Sequence, residues 1–159
     1  MAQPRRRWGR VGVSVVRRLD HVAIVVRSTD EALRFYEDRL GLRVQSSEEI
    51  DSPRARLTYL ETGNAYLQLV EPLDPASPLA EWLEENGEGL HHICFGVDDV
   101  AASVAAISDP ASPVVLGEGR GRVSGFLTLA ATSGVRIECT EFEKTQDVDA
   151  APGWLDRPT

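Results

Sequence analysis

The feature that most constrains this chain is that it repeats itself. Leu19-Asp20-His21-Val22-Ala23-Ile24 aligns with Leu90-His91-His92-Ile93-Cys94-Phe95, and Tyr66-Leu67-Gln68-Leu69 aligns with Arg136-Ile137-Glu138-Cys139. His21 precedes Gln68 by 47 residues and His92 precedes Glu138 by 46. Repetition on this scale describes two supersecondary units that pack in equivalent ways, and it limits the fold before any motif is read.

Each copy has the same order of elements. In the first, Leu19 to Val26 is an apolar run rich in Val and Ile and reads as a buried strand. Ser28 followed by Glu31 fits a capping box, and Ala32, Leu33, Phe35, Tyr36 and Leu40 recur at helical spacing until Gly41. Leu42 to Ser46, Arg54 to Glu61 and Ala65 to Val70 read as strands, the last two joined by the Gly63-Asn64 turn. Ser77-Pro78 opens a linking helix through Glu85. The second copy follows with a strand at Leu90 to Val97, a helix capped by Asp98 and running to Ile107, and prolines at 110 and 113. Strands are expected at Val114 to Leu116, Ser124 to Leu129 and Gly134 to Thr140. The fold class is therefore α+β, built from two βαβββ modules at 18–75 and 88–142 with a linking helix at 77–86.

Composition removes several functions. The 159 residues carry 25 acidic and 17 basic groups, a formal charge of -8, which disfavours a nucleic-acid partner. No apolar run approaches the ~20 residues of a membrane helix, and no cleavable leader is evident. Two cysteines make no disulfide framework, so a cytoplasmic protein is expected. Residues 1–17 read as a basic N-terminal arm and 144–159 as a flexible C-terminal tail, leaving one folded domain at 18–143.

The repeat places four polar side chains in register within apolar strands. Two-fold packing brings His21, Gln68, His92 and Glu138 together: two imidazoles, an amide oxygen and a carboxylate. That donor set suits one divalent metal ion (Co, Mn, Ni, Zn or Fe), with open positions for water or substrate. The ordinary alternative makes these residues satisfied strand histidines, an exposed glutamine and a solvated glutamate. It leaves unexplained why four polar residues fall in register, and a buried lone carboxylate costs several kcal/mol without a compensating charge. Strand alternation turns His91 away from the face His92 presents, leaving it a structural or supporting role.

Leu19 to Ile24, Tyr66-Leu67-Gln68-Leu69-Val70-Glu71-Pro72 and Asn86-Gly87-Glu88-Gly89-Leu90-His91-His92-Ile93 together resemble methylmalonyl-CoA epimerases of the vicinal oxygen chelate (glyoxalase/bleomycin resistance) superfamily. The resemblance covers about residues 18–142 and is weakest from Ala105 to Val123. It implies an open, cup-shaped mixed sheet around a metal held by His21, Gln68, His92 and Glu138. It also implies a homodimer and a small-molecule substrate of the acyl-CoA type. The implied activity is epimerisation through a metal-stabilised enolate. Two departures stand out. The position where such proteins carry a second acid holds Leu57, so Glu138 is the placed base and Tyr59, on the same strand face, the remaining proton donor. A His-Pro-Lys stretch of the family is replaced by Thr128-Leu129-Ala130, which is expected to weaken recognition of a CoA thioester. Alternatives on the same fold are a cyclitol or sugar epimerase, a glyoxalase-type lyase, an Fe(II) dioxygenase using His21, His92 and Glu138, and a non-catalytic resistance protein.

Overall fold

A computed structural model of the chain describes residues 15–108, 115–127 and 132–142. The C-terminal tail, most of the basic arm, the two prolines and Thr128-Leu129-Ala130 lie outside the described residues. The first module comprises β1 (Val16–Val25), α1 (Thr29–Tyr36), β2 (Arg43–Asp51), β3 (Arg54–Glu61) and β4 (Tyr66–Pro72). After the linking helix α2 (Pro78–Asn86) come β5 (Gly89–Val97), α3 (Val100–Ile107), β6 (Val115–Gly119), β7 (Arg122–Phe126) and β8 (Ile137–Glu141).

The strands form one mixed sheet in the order β2-β3-β4-β1-β5-β8-β7-β6. β1 runs parallel to β4 and β5 runs parallel to β8, while β1 and β5 meet antiparallel at the centre. Each module therefore contributes four strands in the same internal order, related by a pseudo-two-fold axis between β1 and β5. The sheet curls into a half-barrel, as the repeat and the resemblance imply. On its outer side, α1 lays Ala32, Leu33 and Tyr36 against Val26, Leu60 and Leu69, and Val100 and Val104 of α3 pack on Val97 and Cys139. Inside, Leu79 and Leu83 of α2 seal the first module's concave face with Ala23, Val25, Ala55, Leu57, Tyr59 and Val70.

Local signals hold with small shifts. Ser28 Oγ accepts from the Glu31 amide, and Ser77 Oγ from the Ala80 amide, as capping serines do. Asp99, not Asp98, caps α3, accepting from the Ala102 amide at 2.8 Å. Asp98 instead pairs with Arg17, because β1 begins at Val16, inside the segment expected to be an arm. α1 ends at Tyr36; the chain then continues in turns to Gly41, whose φ of 76° is a left-handed conformation that glycine adopts freely. β2 is longer than the expected Leu42 to Ser46. Its outer half, Ser47 to Asp51, is polar apart from Ile50, which packs on the core, and pairs fully with β3 at the sheet edge. No helix among the described residues is long and apolar enough to cross a membrane.

Candidate metal centre

Strand register builds the site. Tyr59, Gln68, Ala23 and His92 lie in one lateral row across β3, β4, β1 and β5. Phe126, Glu138, Cys94 and His21 form a second row across β7, β8, β5 and β1. The two rows are pseudo-two-fold images, so His92 shares a row with Gln68 of the first module and His21 with Glu138 of the second. His21, Gln68, His92 and Glu138 are all buried and line a cavity of about 110 Å³.

The donor atoms converge. His21 Nε2 and His92 Nε2 are 3.2 Å apart, and Glu138 Oε2 lies 3.3 Å from the first and 3.1 Å from the second. Three donors on one face of an octahedron, at right angles and bond lengths of about 2.1 Å, are separated by about 3 Å. The triangle matches that spacing. Gln68 supplies an independent sign. Its Nε2 donates to the Tyr59 hydroxyl at 2.7 Å, which fixes the amide's orientation, and its Oε1 is buried without a hydrogen-bond partner. An orphaned buried carbonyl oxygen carries a penalty of a few kcal/mol, which a cation relieves. The residues fit a divalent ion.

The electrostatics follow from burial and these contacts. Burial alone would raise the Glu138 pKa, but hydrogen bonds from His21 and His92 hold it well below the usual carboxylate range. Burial would lower the His21 pKa, and the hydrogen bonds and charges of Asp20 and Glu138 raise it instead. For His92 burial wins over Glu138, and the pKa is lowered. The Tyr59 phenol is pushed above its usual value by burial, although Arg120 opposes that shift.

Two β-bulges decide what stands behind the histidines. In the β1–β5 ladder Leu19 pairs with Phe95 and His21 with Cys94, leaving Asp20 as the extra residue. Further along, Ala23 pairs with His92 and Ile24 with Leu90, leaving His91 as the extra residue of β5. A bulge breaks alternation and re-aims side chains. Asp20 is fully buried and its Oδ1 lies 2.8 Å from His21 Nδ1. His91 lines the cavity, with its Nδ1 2.8 Å from His92 Nδ1 and its ring edge-on to Trp82. His91 thus does not turn to the opposite face. The expectation applied unbroken alternation to a strand that is bulged at that residue. Its pKa falls to about 3, through burial and the neighbouring His92, so it is uncharged near neutral pH. When a histidine ligates a metal, the partner of its other ring nitrogen fixes tautomer and orientation. Asp20 and His91 occupy those positions.

Leu57 is buried on the cavity wall beside Tyr59. Glu118 lies at the cavity mouth and is exposed. The contribution that sequence reasoning missed is Arg120. Its guanidinium pairs with Asp20 and lies over the Tyr59 ring, 4.4 Å from the centroid. Cation and anion come from opposite modules, so spacing within either copy carries no signal of the contact.

The sequence profile of the Glyoxalase/Bleomycin resistance protein/Dioxygenase superfamily matches residues 20–125. The chain belongs to this superfamily. The matched span contains His21, Gln68 and His92 and stops short of Glu138. The ethylmalonyl-CoA/methylmalonyl-CoA epimerase of Cereibacter sphaeroides is 32% identical over 110 residues, covering 69% of this chain and 81% of the relative. Among solved structures, methylmalonyl-CoA epimerase from Mycobacterium tuberculosis superposes with a TM-score of 0.75 at 29% identity, covering 84% of this chain and 93% of the other. A methylmalonyl-CoA epimerase in complex with methylmalonyl-CoA and NH4+ gives 0.73 at 33% identity, covering 82% and 97%.

Proposed function

We propose that this superfamily member is a divalent-metal-dependent epimerase acting on a carbon acid next to a thioester carbonyl, with methylmalonyl-CoA as the reference substrate. The observation that carries the metal assignment is the unpartnered Gln68 Oε1 in the same cavity as a triangle of three donors about 3 Å apart. The epimerase assignment is supported by the names of the relatives and structural neighbours. His21 Nε2, His92 Nε2, Gln68 Oε1 and Glu138 Oε2 are the ligating atoms. When bound, the ion supplies electrostatic stabilisation of the negative charge that develops on the substrate oxygens.

The chain's own residues handle the proton. Glu138 takes it from the carbon between the two carbonyl groups, on one face. The Tyr59 hydroxyl, held by Gln68, returns a proton to the same carbon on the other face, inverting it. The protonated carboxyl and the phenolate then re-equilibrate through solvent. Tyr59 is a weak partner, because burial keeps its phenol protonated. Leu57 stands where a second carboxylate would serve better. The chain is therefore expected to be slower than an enzyme with two carboxylates by about 10²–10⁴-fold. Cobalt, manganese, nickel, zinc and iron are all compatible with the donor set.

The same reading gives a cytoplasmic homodimer with an acyl-CoA substrate and no nucleic-acid or membrane partner. The acid excess supports the absence of a nucleic-acid partner, the two buried free cysteines support the compartment, and the methylmalonyl-CoA bound by a structural neighbour supports the substrate class; the homodimer rests on the resemblance alone. The test is metal-loaded protein in deuterium oxide with methylmalonyl-CoA. Slow exchange of the carbon-bound proton is expected, with a rise of about 10-fold or more in Leu57→Glu. No exchange by either protein would contradict the assignment.

A further inference from the structure

The β6–β7 hairpin turns on Arg120 and Gly121, with φ of 53° and 66°. Two successive left-handed residues make a tight hairpin turn whose first position favours Asn, Asp or Gly. An arginine there is conformationally costly, which asks what its side chain gains. The backbone N–H of Arg120 donates to Glu48 Oε1 at 2.6 Å, tying the hairpin tip to β2. The side chain then crosses into the first module, where its guanidinium pairs with the fully buried Asp20 and lies 4.4 Å from the Tyr59 ring centroid and 5.2 Å from that of Tyr66. Only 14% of the side chain is exposed. Neighbouring Gly119 packs tightly: an added Cβ would lie 3.2 Å from the Tyr59 hydroxyl, which would have to shift.

Both groups that Arg120 grips are one step from the donor set. Asp20 faces His21 Nδ1, and the Tyr59 hydroxyl accepts from Gln68 Nε2. We propose that Arg120 is a positioning residue of the metal centre: from the second module it fixes Asp20 and Tyr59, and through them His21 Nε2 and Gln68 Oε1 of the first. This rests on the reading of those four side chains as ligands. Without the guanidinium, Asp20 is left with His21 on Oδ1 and two cations on Oδ2, Arg18 at 3.3 Å and Arg122 at 3.8 Å. The carboxylate then has reason to swing toward them and away from His21.

The sign of the effect separates this role from plain electrostatics. A cation near a metal site repels the ion, so removing its charge would tighten binding. Removing a positioning residue loosens binding. Arg120→Asn is the decisive variant, since asparagine tolerates the left-handed turn. Cobalt(II) affinity and the visible absorption of the bound ion are measured on the full chain, with folding followed by circular dichroism. Affinity is expected to fall about 10–100-fold, as for other residues that orient ligands, with a changed cobalt spectrum. Arg120→Lys is the second variant. It keeps the charge but cannot hold a carboxylate and an aromatic face in one planar grip, and the same loss is expected. Higher affinity in Arg120→Asn, or wild-type affinity and spectrum in both variants, would overturn the proposal. Failure of the wild-type chain to bind cobalt would overturn the ligand assignment as well, which distinguishes the two.

Discussion

The two modules share a backbone plan and differ in where they keep charge. Lateral pairing makes Gln68 the counterpart of Glu138, Tyr59 of Phe126, Leu57 of Ser124 and Val70 of Thr140. The first module thus offers a neutral potential donor and an apolar wall, and the second an anionic potential donor and a small polar wall. Behind the histidines the pattern reverses. His21 is backed by the ionised Asp20 and His92 by the uncharged His91. The two copies share the geometry, since the β1–β5 ladder with its three register shifts is common to both. The chemistry diverged at single positions. One anion per module stands against the donor atoms: Glu138 as a donor, Asp20 behind one.

Glu138 and Gln68 should respond most unequally. Glu138→Ala removes the charged donor and the assigned base, and is expected to abolish metal retention and cut exchange by at least about 10³-fold. Gln68→Ala removes one neutral donor and should weaken metal binding by roughly tenfold, leaving measurable exchange. Titration calorimetry and the deuterium assay on both variants check this. Equal losses would mean that the two halves of the donor set are not chemically distinct. The histidine pairs come next. His92→Ala should eliminate binding, whereas His91→Ala should reduce affinity by about 10–100-fold, the range for a residue that orients a ligand. Wild-type affinity in His91→Ala would show that the bulge aims His91 into the cavity without coupling it to the site.

The smallest effect is on pH dependence. Burial would depress the His21 pKa, but Asp20 and Glu138 raise it, so the metal-free protein keeps this proton, which the ion must displace, to a higher pH than an ordinary histidine does. As pH falls below that raised value, apparent affinity should drop by about tenfold per unit. Asp20→Asn removes one of the raising groups, so the decline should begin at a lower pH. His91→Ala should leave its onset in place, because His91 carries no charge there. Identical onsets in the wild type and Asp20→Asn would break the contrast between the two backings.

Much of this was legible in the amino-acid sequence because strand register is arithmetic. Once the His21 and His92 segments align, the nearly equal spacings to Gln68 and Glu138 place all four in equivalent rows, and the leucine at 57 stands out. What escaped follows from breaks in that arithmetic. A rule of strict alternation cannot reveal that Asp20 and His91 are extra residues in a bulged ladder. The outer half of β2, from Ser47 to Asp51, has no apolar alternation, since it lies on the sheet edge and gains its stability from pairing with β3. Arg120 sits in the stretch where the family resemblance is weakest, and its partners Asp20 and Tyr59 lie 100 and 61 positions upstream.

The central claim is that one divalent ion sits between the two modules, held by donors from both. Anomalous X-ray diffraction from cobalt-loaded crystals tests it most directly. The account predicts one peak per chain, bounded by His21 Nε2, His92 Nε2, Gln68 Oε1 and Glu138 Oε2. A second group of potential ligand atoms, on Asp20, His21 and Cys94, shares His21 with the first. A peak there, or none in the cavity at saturating cobalt, would contradict it.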